Sequence, residues 1–202
     1  MRTVSLESGK TITVRAWQEQ DIPKLYRLME EVGKEGQVML GSRLPFTVEQ
    51  LYMQYYHAAP KNHLTLVAAT EDNEICGWLR CDRSIVPWME HNATIWMGIA
   101  PEHRGQRVGE NLIREAFTWA AQQGIERVEL GVRGSNTPAL SLYQKMGFAE
   151  EGRKVRAIKL DEGYDDDIWM GVFLTKDGTP RKLKTTVKSK QRPSKSRMRK
   201  SL

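Results

Sequence analysis

Cysteine is scarce in this 202-residue chain: Cys76 and Cys81 are the only two. They stand five apart in a strand-like stretch, where an odd separation points them to opposite faces, so they are not expected to bridge. Two small buried thiols in a reducing compartment is the reading they support. Long hydrophobic runs are missing as well. No stretch approaches the roughly 18 apolar residues that span a bilayer, and the opening residues carry no continuous apolar segment. A cytoplasmic protein without membrane contact is expected. His57, His63 and His103 lack ligating intervals with one another or with either cysteine, so no metal is expected. Neither G-x-G-x-x-G nor G-x-x-x-x-G-K-[ST] occurs, which removes support for nicotinamide and nucleoside-triphosphate sites.

Acidic residues are scarce at one end only. From residue 175 onward there are eleven Lys or Arg and a single acid, Asp177; the first 174 residues hold twenty basic and 24 acidic ones, a net −4 within a chain of net +6. Those last 28 residues contain no aromatic and only Leu183, Val187, Met198 and Leu202 as large aliphatics. So little apolar surface cannot offset the entropy of ordering. The expectation is one domain over 1–174 and a disordered basic tail over 175–202. Without aromatics to stack on bases, the tail would make non-specific, salt-sensitive contact with polyanions.

Periodicity supplies the elements. Residues 11–17 read as a strand, and Asp21 and Pro23 then mark a helix start whose inner face is Ile22, Leu25, Leu28, Met29 and Val32. A second helix fits 47–58. Two short strands flank the turn Glu71-Asp72-Asn73-Glu74, and residues 93–99 alternate as a third, with Gly98 placed for a bulge. Val108, Leu112, Ala116 and Ala120 recur at spacing four in a helix that stops at Gly124. A strand over 128–132 and a short helix over 137–146 follow, the latter with Thr137 as cap and Ala139, Leu142, Tyr143 and Met146 as inner stripe. Strands over 148–160 and 168–174, joined by DEGYDDD, complete the order β-α-α-β-β-β-α-β-α-β-β. This is a mixed α/β fold.

Chemistry concentrates between the 93–99 strand and the helix after it, in the segment H-R-G-Q-R-V-G-E-N-L-I. A glycine-bearing turn entering a helix presents unpaired backbone N–H groups and the positive end of the helix dipole. Arg104 and Arg107 add charge, Gly105 and Gly109 permit close approach, and a pyrophosphate is a natural occupant.

Residues 99–109 resemble the acetyl-coenzyme A loop of the GNAT family of N-acetyltransferases, [QR]-x-x-G-x-[GA], with Arg104 opening and Gly109 closing it. Arg107 replaces the family's middle glycine, which ordinary helical angles at a helix start would permit. Downstream, Asn136, Ala139, Leu142, Tyr143, Gly147 and Phe148 are similar to the family's N-x-x-A-x-x-L-Y-x-x-x-G-F stretch. The resemblance covers about 11–174. It implies a mostly antiparallel twisted sheet flanked by helices, and acetyl transfer from acetyl-coenzyme A to a primary amine by direct attack in a ternary complex. It also implies that Met97, Ile99, Arg104, Gly105, Gln106, Arg107, Val108, Gly109 and Asn136 hold the coenzyme and that Tyr143 protonates the leaving thiolate.

Many members carry a glutamate in the strand before the loop, where this chain has Thr94. Asp82, Glu90, His91 and the run Asp165-Asp166-Asp167 are the candidate bases, and that run would also suit a cationic acceptor. Trp88 is a candidate lining for the amine pocket. A coenzyme-binding module without turnover, and a nucleic-acid or ribosome-associated factor acting through the tail, are the alternatives.

Overall fold

Thr11, Thr13 and Arg15 alternate with Ile12 and Val14, and this stretch is one strand of a nine-stranded sheet in the computed structural model, which describes residues 2–6, 9, 11–35 and 44–181. In chain order the elements are β1 (Arg2–Ser5), β2 (Thr11–Ala16), α1 (Ile22–Lys34), α2 (Val48–Tyr56), β3 (His63–Thr70), β4 (Ile75–Arg83), β5 (Asn92–Ile99), α3 (Val108–Gln122), β6 (Arg127–Arg133), α4 (Thr137–Lys145), β7 (Ala149–Leu160), β8 (Gly163–Leu174) and β9 (Pro180–Arg181). The strands lie in the order β1-β2-β3-β4-β5-β6-β8-β7, with β9 also on β8. Every pairing is antiparallel except β5 with β6.

The sheet buries both faces. On one, Val108, Leu112, Ile113, Ala116, Phe117 and Ala120 of α3 pack with Tyr143 and Met146 against the inward residues of β3 to β8. On the other, Leu25, Leu28, Met29 and Val32 of α1 and Leu51 and Tyr55 of α2 pack on Val67, Ala69 and Trp78. Truncating a fully buried leucine such as Leu112 to alanine would cost about 2–5 kcal/mol, which makes these faces the main source of stability.

Several local expectations are revised. Asp21 precedes α1 without capping it: its carboxylate accepts two hydrogen bonds from Arg15, at 2.6 and 2.9 Å, and one from the Gln18 N–H. It clamps β2 to α1 instead. The cap of α4 is Asn136, whose side-chain oxygen accepts from the Ala139 N–H, and Thr137 is the first helical residue. Cys76 and Cys81 do not face opposite ways. Ala68 pairs with Gly77 and Ala69 with Ile75, so Cys76 is the extra residue of a bulge, and that offset brings both free thiols into the α3-side core.

Gly98 forms no bulge, because β4 and β5 pair without a register shift through it. What requires a glycine there is the Trp78 indole, whose Nε1 would lie 2.9 Å from an added Cβ. β8 begins at Gly163, so Asp165, Asp166 and Asp167 are strand residues and not a solvated turn. Strand pairing also runs past residue 174: Leu174 pairs with Pro180 and Phe173 with Arg181. The rest of the expected tail, 182–202, lies outside the described residues. No helix among the described residues is long and apolar enough to cross a membrane.

Candidate active site

β5 and β6 pair through only three positions, Asn92 with Arg127, Ala93 with Val128 and Thr94 with Glu129. Beyond Thr94 the two strands part. Successive N–H groups in a strand point to alternate sides, and the Ala100 N–H donates to the Cys76 carbonyl on β4, so those of Met97 and Ile99 face the gap. The wedge between the strands is thereby lined with backbone N–H groups that β6 does not pair.

At its mouth the loop 104–107 turns sharply into α3. Gly105 has φ +72° and Arg107 φ 63°, ψ 12°. Arg107 is thus left-handed, contrary to the ordinary helical angles expected of it, and it keeps the backbone course a glycine would take. Left-handed residues of this kind turn neighbouring N–H groups into an anion-binding concavity. Gly109 sits where α3, α4 and β5 converge: an added Cβ would lie 2.9 Å from the end of the Leu142 side chain and 3.1 Å from that of Met97, which would have to shift to admit it.

These elements enclose a cavity of about 420 Å³. Met97, Ile99, Arg104, Gly105, Arg107, Val108, Gly109, Asn136 and Tyr143 all line it; Gln106, the one remaining expected coenzyme contact, does not. Arg104 is more committed than expected, donating from Nε to the Ile99 carbonyl and from Nη2 to Glu35 at 2.6 Å, so that it ties the loop to β5 and α1. Lys145, paired with Glu110, brings a further cation to the rim that sequence reading did not single out.

Tyr143 is buried on α4, edge-on to Phe148, with its hydroxyl in no hydrogen bond among the described residues. Burial pushes its phenol well above the ordinary tyrosine value. It therefore stays protonated throughout the neutral range.

On the α1–α2 side lies a second cavity, of about 250 Å³, walled by Phe46, Tyr55, Trp78 and Trp96 and closed by Arg80 and Asp82. Trp88, expected in the amine pocket, is 79% exposed and lines neither cavity. The acidic run is engaged: Asp165 accepts from Ser135, Asp166 from Arg153 and the Arg156 N–H, and Asp167 from Trp169 and Lys154. Glu90 and His91 are exposed and line neither cavity.

Residues 25–148 match the acetyltransferase (GNAT) family. The chain belongs to the GNAT acetyltransferase family. Streptothricin acetyltransferase of Streptomyces lavendulae is 33% identical over 85 residues, which is 42% of this chain and 44% of that enzyme, so the matched stretch spans under half of that relative. A GNAT acetyltransferase structure from Streptococcus pneumoniae superposes with a TM-score of 0.74 at 26% identity, over 81% of this chain and 99% of that one. A GNAT phosphinothricin acetyltransferase from Sinorhizobium meliloti, solved in complex with acetyl-CoA, superposes with a TM-score of 0.74 at 16% identity, over 81% and 88%. GNAT acetyltransferases use acetyl-coenzyme A as cosubstrate, and the fold here is theirs.

Proposed function

We propose that this chain transfers acetyl from acetyl-coenzyme A to a primary amine, with the coenzyme in the wedge between β5 and β6. The observation that carries this reading is the early end of the β5–β6 pairing beside the loop at the start of α3. An extended amide-bearing arm can pair with the free edge of β5 only because β6 has moved away. The pyrophosphate would lie against the N–H groups of residues 104–109 and the α3 N-terminus.

In this reading acetyl-coenzyme A supplies the activated acetyl group, and the protein positions and polarises it. The Met97 and Ile99 N–H groups face the gap where negative charge develops on the thioester oxygen. Asn136 caps α4 with its side-chain oxygen and so fixes the helix that presents Tyr143. The Tyr143 phenol donates to the departing sulfur. An ordinary thiol, with a pKa near ~8.5, is a stronger acid than a buried phenol, so a complete transfer is uphill unless burial in the wedge also raises the thiol. A hydrogen bond that strengthens as charge grows on sulfur does not need the full transfer.

A cytoplasmic location belongs to the same reading and is supported by the two free cysteines. The basic tail would contribute polyanion contact outside the active site.

The test is thiol release from acetyl-coenzyme A with a panel of primary amines, run on wild type and Tyr143→Phe. The variant should bind the coenzyme normally by calorimetry and turn over about 10²-fold more slowly, as the ring still packs while the donor is gone. Wild-type turnover in Tyr143→Phe, with chemistry limiting, would remove the donor role. Failure of the wild type to bind acetyl-coenzyme A would remove the reading as a whole.

A further inference from the structure

β4 and β5 run antiparallel with Asp82 opposite Thr94, Arg80 opposite Trp96 and Trp78 opposite Gly98. Directly opposed residues share a face, with Cβ atoms roughly 4.5–5.5 Å apart. A carboxylate on Asp82 therefore projects from nearly the same patch of sheet as one on residue 94 would, but from the neighbouring strand. Thr94 itself cannot take a proton at neutral pH.

Among the described residues, Asp82 is the one carboxylate lining the aromatic cavity. That cavity adjoins the coenzyme wedge, because Trp78 walls the former and stands against Gly98, which lines the latter. Behind Asp82 runs a connected polar chain. His63 Nδ1 lies 2.5 Å from Asp82 Oδ1, Thr65 Oγ1 lies 2.8 Å from His63 Nε2, and Arg80 Nε donates to Asp82 Oδ2 at 2.7 Å. Glu129, which accepts a 3.4 Å bond from Thr94, is the competing carboxylate; it lines neither cavity and is held by Arg127, which also pairs with Glu151.

We propose that Asp82, backed by His63, is the catalytic group that removes the proton from the acceptor amine, and that the acceptor is a compact primary amine on an apolar or aromatic stem. This rests on the acetyltransferase reading. The stem would occupy the space between Phe46, Tyr55, Trp78 and Trp96, which at about 250 Å³ admits a single ring or a short aliphatic chain.

The acceptor arrives as an ammonium ion and gives one proton to Asp82. His63 Nδ1–H donates to Asp82 and holds it in place, while Nε2 accepts from the Thr65 hydroxyl. The nitrogen lone pair then attacks the thioester carbon, the C–S bond breaks as the C–N bond forms, and the amide nitrogen loses its second proton. One proton ends on sulfur and one leaves to solvent through Asp82. Burial raises Asp82, but the hydrogen bonds from His63 and Arg80 outweigh it and hold the carboxyl below its ordinary value, so Asp82 carries the proton only transiently before passing it to solvent. The groups facing Asp82 are His63 from β3, Arg80 from its own strand and Tyr55 from α2, with its phenol pushed up to about 12 by burial; β5 presents only Thr94 and Trp96, with Glu129 of β6 beyond Thr94.

The experiment measures thiol release by the full-length protein with acetyl-coenzyme A and 2-phenylethylamine, isoamylamine or spermidine, from pH 6 to 10. In Asp82→Asn, kcat with the apolar amines at pH 7 should fall by about 10² or more while coenzyme affinity is unchanged. That deficit should shrink as pH approaches the amine's own pKa of about 10, where the free base needs no acceptor for its first proton. His63→Gln keeps a donor to Asp82 and should lose little activity, whereas His63→Leu removes that donor and should shift the pH profile in the same direction as Asp82→Asn with a smaller loss. A wild-type rate and pH profile in Asp82→Asn, or a loss unrelieved at high pH, would show Asp82 to be a structural clamp only. Turnover of spermidine without the apolar amines would overturn the acceptor class. Coenzyme binding with no turnover of any amine would overturn the acetyltransferase reading itself and this assignment with it.

Discussion

Arg107 gives a sharp test of how the loop holds its shape. At φ 63°, ψ 12° an L-residue brings its Cβ close to the following carbonyl oxygen, a strain of about 1–2 kcal/mol that glycine lacks. Replacing Arg107 by glycine removes the strain but gives the unfolded chain more freedom to lose, at about 0.5–1 kcal/mol. It also deletes a charged side chain that has interactions of its own. Alanine separates these effects, because it deletes the same side chain and keeps the strained Cβ. Arg107→Gly should therefore be about 0.5–1 kcal/mol more stable than Arg107→Ala, a difference of roughly 1–4 °C in Tm for a chain of this size. Differential scanning calorimetry of the two variants without coenzyme measures it. If alanine were as stable as glycine, residue 107 would have ordinary backbone angles in solution and the loop geometry described here would be wrong. Both variants should bind acetyl-coenzyme A more weakly than wild type, and similarly to each other, since both lose the guanidinium beside the proposed pyrophosphate position.

Two further outcomes concern stability and charge. Burial raises Asp21, but the Arg15 fork and the Gln18 N–H outweigh it and hold the carboxylate below its usual range; Asp21→Asn should cost about 3 kcal/mol in urea unfolding at pH 7 by leaving Arg15 largely buried without its counter-charge. Since the folded pKa is the lower one, this contribution is complete above about pH 4 and fades as pH falls further, so the gap between wild type and variant should narrow at pH 3 and a constant gap would refute the ion pair. Truncation after Arg181 removes nine Lys or Arg and no acid, taking the net charge from +6 to −3 while leaving β9 in place. Filter binding to single-stranded DNA should fall and small-amine acetylation should persist; salt-resistant DNA binding by the truncated protein would place that affinity in the folded domain.

What the sequence could determine was local. The 104–109 loop, the helix carrying Tyr143 and the antiparallel order β3-β4-β5 all follow from apolar spacing, glycine placement and turn chemistry, which act over a few residues. These were enough for the mixed α/β order of elements; the sheet type and the coenzyme contacts came from the family resemblance, and every expected site residue except Gln106 lines the cavity of about 420 Å³. Tertiary structure decided what depends on register. Asp82 and Thr94 are twelve residues apart in the chain, and only the pairing of β4 with β5 makes them neighbours on one face. His63 showed no ligating spacing and drew no role until β3 brought it to Asp82. The bulge at Cys76 reverses a parity argument that holds only for an unbroken ladder, and β9 exists because β8 offers an edge to residues whose own composition argues against order. Arg107 is the same lesson in the backbone: its residue type favours ordinary angles, and at the turn into α3 it takes left-handed ones.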